Sequence, residues 1–379
     1  MKREIGVGLV GSGFMGRSHA LALAIAAVAF DLPLRPRLEL LADRDPATAR
    51  RAAEAFGFRR STGDWRELVA DPGVELVSIT TPNVLHEPIA MAAIAAGKAV
   101  WCEKPLAPTA ASAMAMAKAA EAAGVPTFVG FNYLKNPLVR TAREIVAAGE
   151  LGEVTRFRGI HAEDYMADPE VPWSWRLDPA NGGGAVADLG SHIIAMARFL
   201  VGPIEELVAD LRTLVPERPV APGSGERRKV EVDDEARALV RFANGATGTL
   251  EANWAATGRK MHLAFEVTGT RGAIVLNMER MNEMRLFLRD GRAGRQGFVE
   301  IPAGPAHPDY AAFVPAPQHQ LGFNEIKAIE AAHILRALAG GEPFYPDFRE
   351  AAEVQRTIAA IQLSARERRW ARVDEVGAG

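Results

Sequence analysis

The run Gly11-Ser-Gly-Phe-Met-Gly16 is the first segment whose residue types and spacing could do chemistry. It follows an apolar stretch and opens a helical one. Gly11 permits a tight turn. Gly13 lets backbone N–H groups close on a pyrophosphate at the positive end of a helix, and Gly16 lets helix and strand pack closely. A plain glycine-rich strand–helix turn is the competing reading. The flanking strand, the flanking helix and the acidic residue further on favour a dinucleotide, with Phe14 and Met15 inside the binding loop.

An acidic side chain should end the second strand and bind the adenosine ribose hydroxyls. Asp45 precedes Pro46 and reads as a helix N-cap, so Asp43 is the better ligand. It lies further from the loop than the usual spacing of about 20 residues. The excess is assigned to an extended connection over Asp31–Arg37, which contains two prolines. A carboxylate there repels a 2′-phosphate and favours NAD over NADP. Arg44 cuts the other way, because it could meet such a phosphate or stack on adenine.

Thr81-Pro82-Asn83 follows a third strand, at the sheet edge where ligands bind in open α/β folds. His86, one turn further, suits either cofactor contact or a helix-start histidine bonded to backbone. Glu103-Lys104-Pro105 ends a fourth strand. Lys104 could donate to a substrate hydroxyl and stabilise a developing alkoxide, or be a solvated lysine beside a paired glutamate. Glu103 and Lys104 are both placed at the cofactor.

The segment Gly182-Gly-Gly-Ala-Val-Ala-Asp188-Leu-Gly-Ser-His192 sets a carboxylate and an imidazole four residues apart, on one helix face. That is a proton-handling pair. The glycines permit close approach of a ligand or of another domain. Alternatively, Asp188 caps the helix and His192 is a satisfied core histidine. Just before it, Trp173-Ser-Trp175-Arg176 suits a polyhydroxylated ligand, with aromatic faces against C–H surfaces and Arg176 donating to hydroxyls. A core cluster at a domain boundary is the other reading. The eight histidines form no His-Glu-x-x-His or His/Cys cluster, so no metal is expected.

Alternating strands and helices must position the early motifs. Ile5–Val10, Leu38–Ala42, Leu76–Thr80, Ala99–Cys102 and Thr127–Gly130 read as strands. Helices are expected at Phe14–Phe30, at Pro46–Phe56, before Gly97 and from Thr109 to Ala123. This spacing means a parallel sheet covered on both faces. After Asn132 strand-like segments dominate. Ala236–Phe242 alternates, Asn244-Gly245 marks a hairpin, and Phe265–Val267 and Ala273–Leu276 continue the pattern. These strands imply an antiparallel sheet with one face covered. A helix at Asp188–Leu200 and two more at Phe323–Leu338 and Phe348–Ser364 complete an α+β domain. Ile301–Pro317, with five prolines, reads as a long irregular loop.

In this order, the glycine loop, Thr-Pro-Asn with a following His, Glu-Lys-Pro, and Gly-Gly…Asp-x-x-x-His resemble the glucose–fructose oxidoreductase/inositol dehydrogenase/rhizopine catabolism (Gfo/Idh/MocA) family over essentially the whole chain. The resemblance implies an α/β fold. A Rossmann, doubly wound parallel sheet spans residues 1–131, and an α+β domain with an open, mostly antiparallel sheet spans 132–379. That sheet is expected to form a homodimer or homotetramer interface. Lys104, Asp188 and His192 match the family's catalytic residues. In that scheme His192 takes the proton from a sugar or cyclitol hydroxyl, Asp188 and Lys104 orient the substrate, and hydride passes to the nicotinamide. Substrate contacts are expected from Tyr133, Trp175 and Arg176 as well. Trp-Ser-Trp-Arg and Gly304-Pro-Ala-His-Pro308 are similar to the branch containing levoglucosan dehydrogenase and some inositol dehydrogenases.

A non-catalytic dinucleotide sensor of the same fold is the alternative. It has no need to keep Lys104, Asp188 and His192 together. Relatives acting on trans-dihydrodiols or tetrapyrroles tend to lack the Asp-x-x-x-His pair. Composition narrows the rest. With 379 residues the chain suits two domains. A net charge of −3, without a basic block, argues against nucleic acid or a membrane surface as partner. The single cysteine, Cys102, fits a reducing compartment. The first ten residues make only a faint signal-peptide pattern, interrupted by Gly11 and Gly13, and Ala20–Phe30 is too short to span a bilayer. A cytoplasmic location is expected.

Overall fold

The computed structural model describes residues 2–289, 291–292 and 294–377. Met1 and the last two residues of the range read as the second domain lie outside the described residues. The apolar runs of the first third form six parallel strands: β1 (Arg3–Val10), β2 (Leu34–Ala42), β3 (Arg60–Thr62), β4 (Leu76–Ile79), β5 (Ala99–Cys102) and β6 (Thr127–Val129). Their order is β3-β2-β1-β4-β5-β6. Strand order reverses beside β1, the kind of switch point at which doubly wound sheets bind dinucleotides. β4 and β5 are buried throughout, as strands covered on both faces must be.

Helices α1 (Phe14–Ala29), α2 (Pro46–Phe56), α3 (Trp65–Ala70), α4 (His86–Ala95) and α5 (Ala110–Ala123) connect them. Asp45 caps α2 by accepting from the N–H groups of Ala47 and Thr48. Thr109 caps α5 in the same way. β2 differs from the expectation. Residues 34–37, read as an extended connection, are strand and pair with Arg3–Gly6 of β1. Pro36 is tolerated because β3 covers β2 only at Leu40–Ala42, leaving no ladder on that side of Pro36.

The chain divides into two compact units, Met1–Lys135 with Gly322–Glu353, and Asn136–Leu321 with Val354–Gly379. A single cut after residue 131 therefore does not describe the division. The helix Phe323–Leu338 returns to the first unit and packs along α1, burying Ala328, Ala331 and Ala332 among other small or apolar residues. A sequence-local reading assigns such a helix to its chain neighbours.

The second unit contains α6 (Pro137–Ala147), α7 (Ser191–Leu200) and a nine-stranded sheet. In spatial order its strands are Val299–Pro302, Glu283–Leu288, Gly272–Asn277, His262–Gly269, Val154–Ala162, Thr247–Asn253, Glu235–Phe242, Ile204–Arg212 and Ala371–Arg372. All neighbours are antiparallel except Val154–Ala162 and Thr247–Asn253. In Glu235–Phe242 the side chains of Ala236, Ala238, Val240 and Phe242 are buried while Arg237, Leu239 and Arg241 are exposed. One face is thus covered and one open. The last two helices are α8 (Phe323–Leu338) and α9 (Phe348–Glu367). The proline-rich loop is held by the wholly buried Tyr310 and by an Arg140–Asp309 ion pair. Among the described residues no helix is long and apolar enough to cross a membrane.

Candidate active site

Residues Gly11 to Gly16 form the β1–α1 turn. Gly11 takes φ of 98°, a value open to glycine at little cost. A Cβ on Gly16 would lie 2.1 Å from the Gly11 carbonyl oxygen, so this close packing also requires glycine. A Cβ on Gly13 would meet no atom within 4 Å. The protein's own packing does not require Gly13, which leaves that space to a ligand. Gly13 caps α1 without a side-chain acceptor, and the first turn carries no acidic residue. The free N–H groups and the positive helix end suit a pyrophosphate. Asp43 stands beside this loop, and its Oδ2 accepts from Ser12 N–H at 3.1 Å and from Ser12 Oγ at 2.5 Å. Arg44 is exposed. The open start of α1 and the space at Gly13 thus leave room for a phosphate group.

Phe14 is exposed, and its ring lies 5.7 Å from Phe323 at the start of α8. Phe323 also meets Tyr133 edge-on at 6.2 Å. Met15 is half-buried. Phe323 is thus placed among the loop residues, which its distance in the chain conceals from the sequence.

Thr81 and Pro82 lead into a short turn at Asn83–Leu85 that runs into α4. His86 is wholly buried, with Nε2 2.9 Å from the Thr81 carbonyl oxygen and Nδ1 3.0 Å from that of Pro105. Burial lowers its pKa, against the pull of these carbonyls. A neutral ring donates through one nitrogen only, so one of the two contacts is a true hydrogen bond at a time. His86 is bonded to backbone, and through it the Thr81 and Lys104 loops are tied together.

Glu103 is buried. Its carboxylate accepts from Lys327 Nζ at 2.5 Å and lies 2.7 Å from His19 Nε2. Burial alone would raise this carboxyl, but the Lys327 charge and the His19 bond outweigh it and hold it well below the usual carboxylate range. Lys104, half-buried, follows directly. Lys327 also lies 2.6 Å from Glu330, whose carboxyl burial pushes up to about 7 against the pull of that ammonium. His19 stacks on Trp101 at 3.7 Å, and burial, helped by Lys327, lowers it to about 4. A lysine and a glutamate three apart in the otherwise apolar, buried stretch Ile326–Ala332 are the signal that could have revealed this cluster.

In the second unit Asp188 sits in a π turn, Val186–Gly190, that continues into α7. Such turns recur at functional sites. The Asp188 carboxylate accepts from Tyr165 Oη at 2.8 Å and from Arg176 Nε at 3.3 Å, so it is turned to side chains and does not cap the helix. Burial, and then the Asp188 charge, hold the Tyr165 phenol well above its usual pKa, which keeps it a donor. The Arg176 guanidinium lies 4.5 Å from the Trp175 ring centre. Trp173 packs instead against Arg228.

His192 is buried, with its ring edge-on to His161 at 5.4 Å. His161 Nδ1 lies 3.1 Å from the Leu189 carbonyl oxygen, and Nε2 lies 3.1 Å from Glu163. The glycine run admits groups of the protein itself. A Cβ on Gly183 would lie 2.1 Å from the Arg176 carbonyl oxygen, and one on Gly184 would lie 2.3 Å from Asp233 Oδ1. Tyr165 was not legible as a site residue, since it stands alone in an irregular segment. No group of three or more potential metal ligands occurs among the described residues.

Residues 5–131 match the model of an oxidoreductase family with an NAD-binding Rossmann fold, and residues 139–275 match the GFO/IDH/MocA C-terminal domain. The chain is 40% identical over 389 aligned residues to levoglucosan dehydrogenase of Pseudarthrobacter phenanthrenivorans, covering 99% of this chain and 100% of that protein. A solved structure of levoglucosan dehydrogenase in complex with NADH and levoglucosan is similar at a TM-score of 0.95, covering 98% of this chain and 100% of that one. An NAD-binding oxidoreductase from Klebsiella pneumoniae is 44% identical, with a TM-score of 0.94 over 98% and 99% of the two chains.

Proposed function

The chain belongs to the Gfo/Idh/MocA family of oxidoreductases, and on that premise we propose that it oxidises a secondary hydroxyl of a sugar, anhydrosugar or cyclitol with NAD. One observation carries the reading. Asp188 is held by Tyr165 and Arg176 four residues before His192, in a chain 40% identical to levoglucosan dehydrogenase.

The glycine loop, the open α1 terminus and Asp43 hold the dinucleotide, with Phe14, Met15, Arg44, Thr81, Pro82 and Asn83 beside it. NAD bound there would supply the acceptor for a hydride from the substrate carbon. His192 takes the hydroxyl proton, a task an imidazole performs as a general base. Lys104 donates to a substrate hydroxyl and stabilises developing negative charge. Asp188 orients the substrate and supports the charged form of His192. Tyr133, Trp175 and Arg176 bind the ring, the indole against C–H surface and the guanidinium at a hydroxyl. Glu103 and His86 serve from behind, by fixing the loops on which Lys104 and Thr81 stand.

The open face of the nine-stranded sheet supports a homodimer or homotetramer. Ile160, Val208 and Leu239 line a groove there of about 760 Å³, and Leu239 is 54% exposed. The lone, buried Cys102 supports a cytoplasmic location.

NADH absorbance with a panel of anhydrosugars, aldoses and inositols tests the reading, beginning with levoglucosan. Turnover on at least one of them is expected. NAD binding without turnover on any would mark a sensor instead.

A further inference from the structure

We infer that Asp233 is a positioning residue for the proposed reaction: its buried carboxyl fixes the start of the turn that carries Asp188 into α7, and so the placement of Asp188 and His192. This rests on the function proposed above.

Helix starts leave N–H groups that need acceptors. Asp233 supplies two, its carbonyl oxygen to Ala185 N–H at 2.9 Å and its Oδ2 to Val186 N–H at 2.7 Å. No side chain on the turn itself does this. The carboxyl comes so close that residue 184 must be glycine, both for space and because φ there is 111°. The glycine run before Asp188 thus serves a specific contact rather than general flexibility.

The next residue reaches Asp188 by a second route. Asp234 is wholly buried, with Oδ2 accepting from the N–H groups of Leu214 and Val215 and Oδ1 from Trp254 Nε1. The Trp254 ring meets Tyr165 edge-on at 6.2 Å, and Tyr165 donates to Asp188. One aspartate therefore holds the backbone of the turn, and its neighbour holds the ring behind the phenol that Asp188 accepts from. Keeping a carboxyl in this place is costly: burial pushes Asp233 up to about 7. A cost retained at such a turn is understandable if the turn must be held in one geometry.

The test compares the wild-type enzyme with Asp233→Ala and Asp233→Asn, using the best sugar from the panel. Helix content, NAD dissociation constant, kcat and KM are measured. Asp233→Ala is expected to lower kcat by about ten- to hundredfold, the cost of a small misplacement of catalytic groups, while NAD affinity stays within about twofold. Asp233→Asn keeps one acceptor oxygen, so its kcat should fall between the two. A folded Asp233→Ala variant with kcat and KM within about twofold of wild type would overturn the inference. If Asp233→Ala does not fold, Asp233→Asn decides in the same way: a lowered kcat with unchanged NAD affinity supports it, and wild-type kcat overturns it. No turnover by the wild type overturns the function and this inference together. Wild-type turnover with an unaffected variant overturns the inference alone.

Discussion

The Lys327 ammonium lies 2.5 Å from the Glu103 carboxylate, with side-chain exposures of 0% and 7%. The pair joins α8 to the end of β5, next to Lys104. Removing the cation by Lys327→Met leaves a buried carboxylate uncompensated, which should cost about 3–5 kcal/mol in urea unfolding. Lys327→Met/Glu103→Gln should recover much of that loss. A single variant of wild-type stability would show that the pair carries no such weight.

Glu330, in the same cluster, makes stability depend on pH. Its folded pKa is raised to about 7 from 4.5. The folded state therefore binds the extra proton, and the stability this gives is full below about 4.5 and lost as pH rises through about 7. His19 acts in the opposite direction, since its lowered pKa removes stability as pH falls from 6.5 towards about 4. The Tm of Glu330→Gln should rise relative to that of the wild type between pH 5 and 8, because the variant lacks this loss. An unchanged Tm profile would contradict this assignment.

Asp43 should set the choice of cofactor. Asp43→Ala removes the carboxylate that faces Ser12 and should weaken NAD while relaxing discrimination against NADP. Measured kcat/KM for both cofactors checks it, and an unaltered ratio would show that another group makes the choice.

Tyr165 should matter to turnover, although no motif announces it. Tyr165→Phe removes a hydrogen bond to a charged acceptor, worth about 1.5–3 kcal/mol. A roughly tenfold or greater loss in kcat/KM for the sugar is expected, with NAD affinity unchanged. Wild-type kcat/KM would place the phenol outside the working site.

What the sequence made legible was what local pattern controls. Asp45 before Pro46, Thr109 and the glycine turn act within a few residues, and their elements stand where the pattern places them. The Asp-x-x-x-His spacing put Asp188 and His192 at one turn, although not its π geometry, where Val186 N–H is met by Asp233, 47 residues on and just before the strand Glu235–Phe242. β3, with three residues, is too short for a pattern. The return of α8 to the first unit, the Lys327–Glu103 contact and the Tyr165–Asp188 bond are set by tertiary packing. No local propensity encodes them.

In the proposed NAD-dependent oxidation His192 moves the substrate proton. The most direct test is NADH formation from the preferred sugar by the wild type and by His192→Ala, with NAD binding measured on both. Turnover by the wild type, a loss of about 10²-fold or more in the variant, and retained NAD binding are expected. Equal turnover by the two proteins would contradict it.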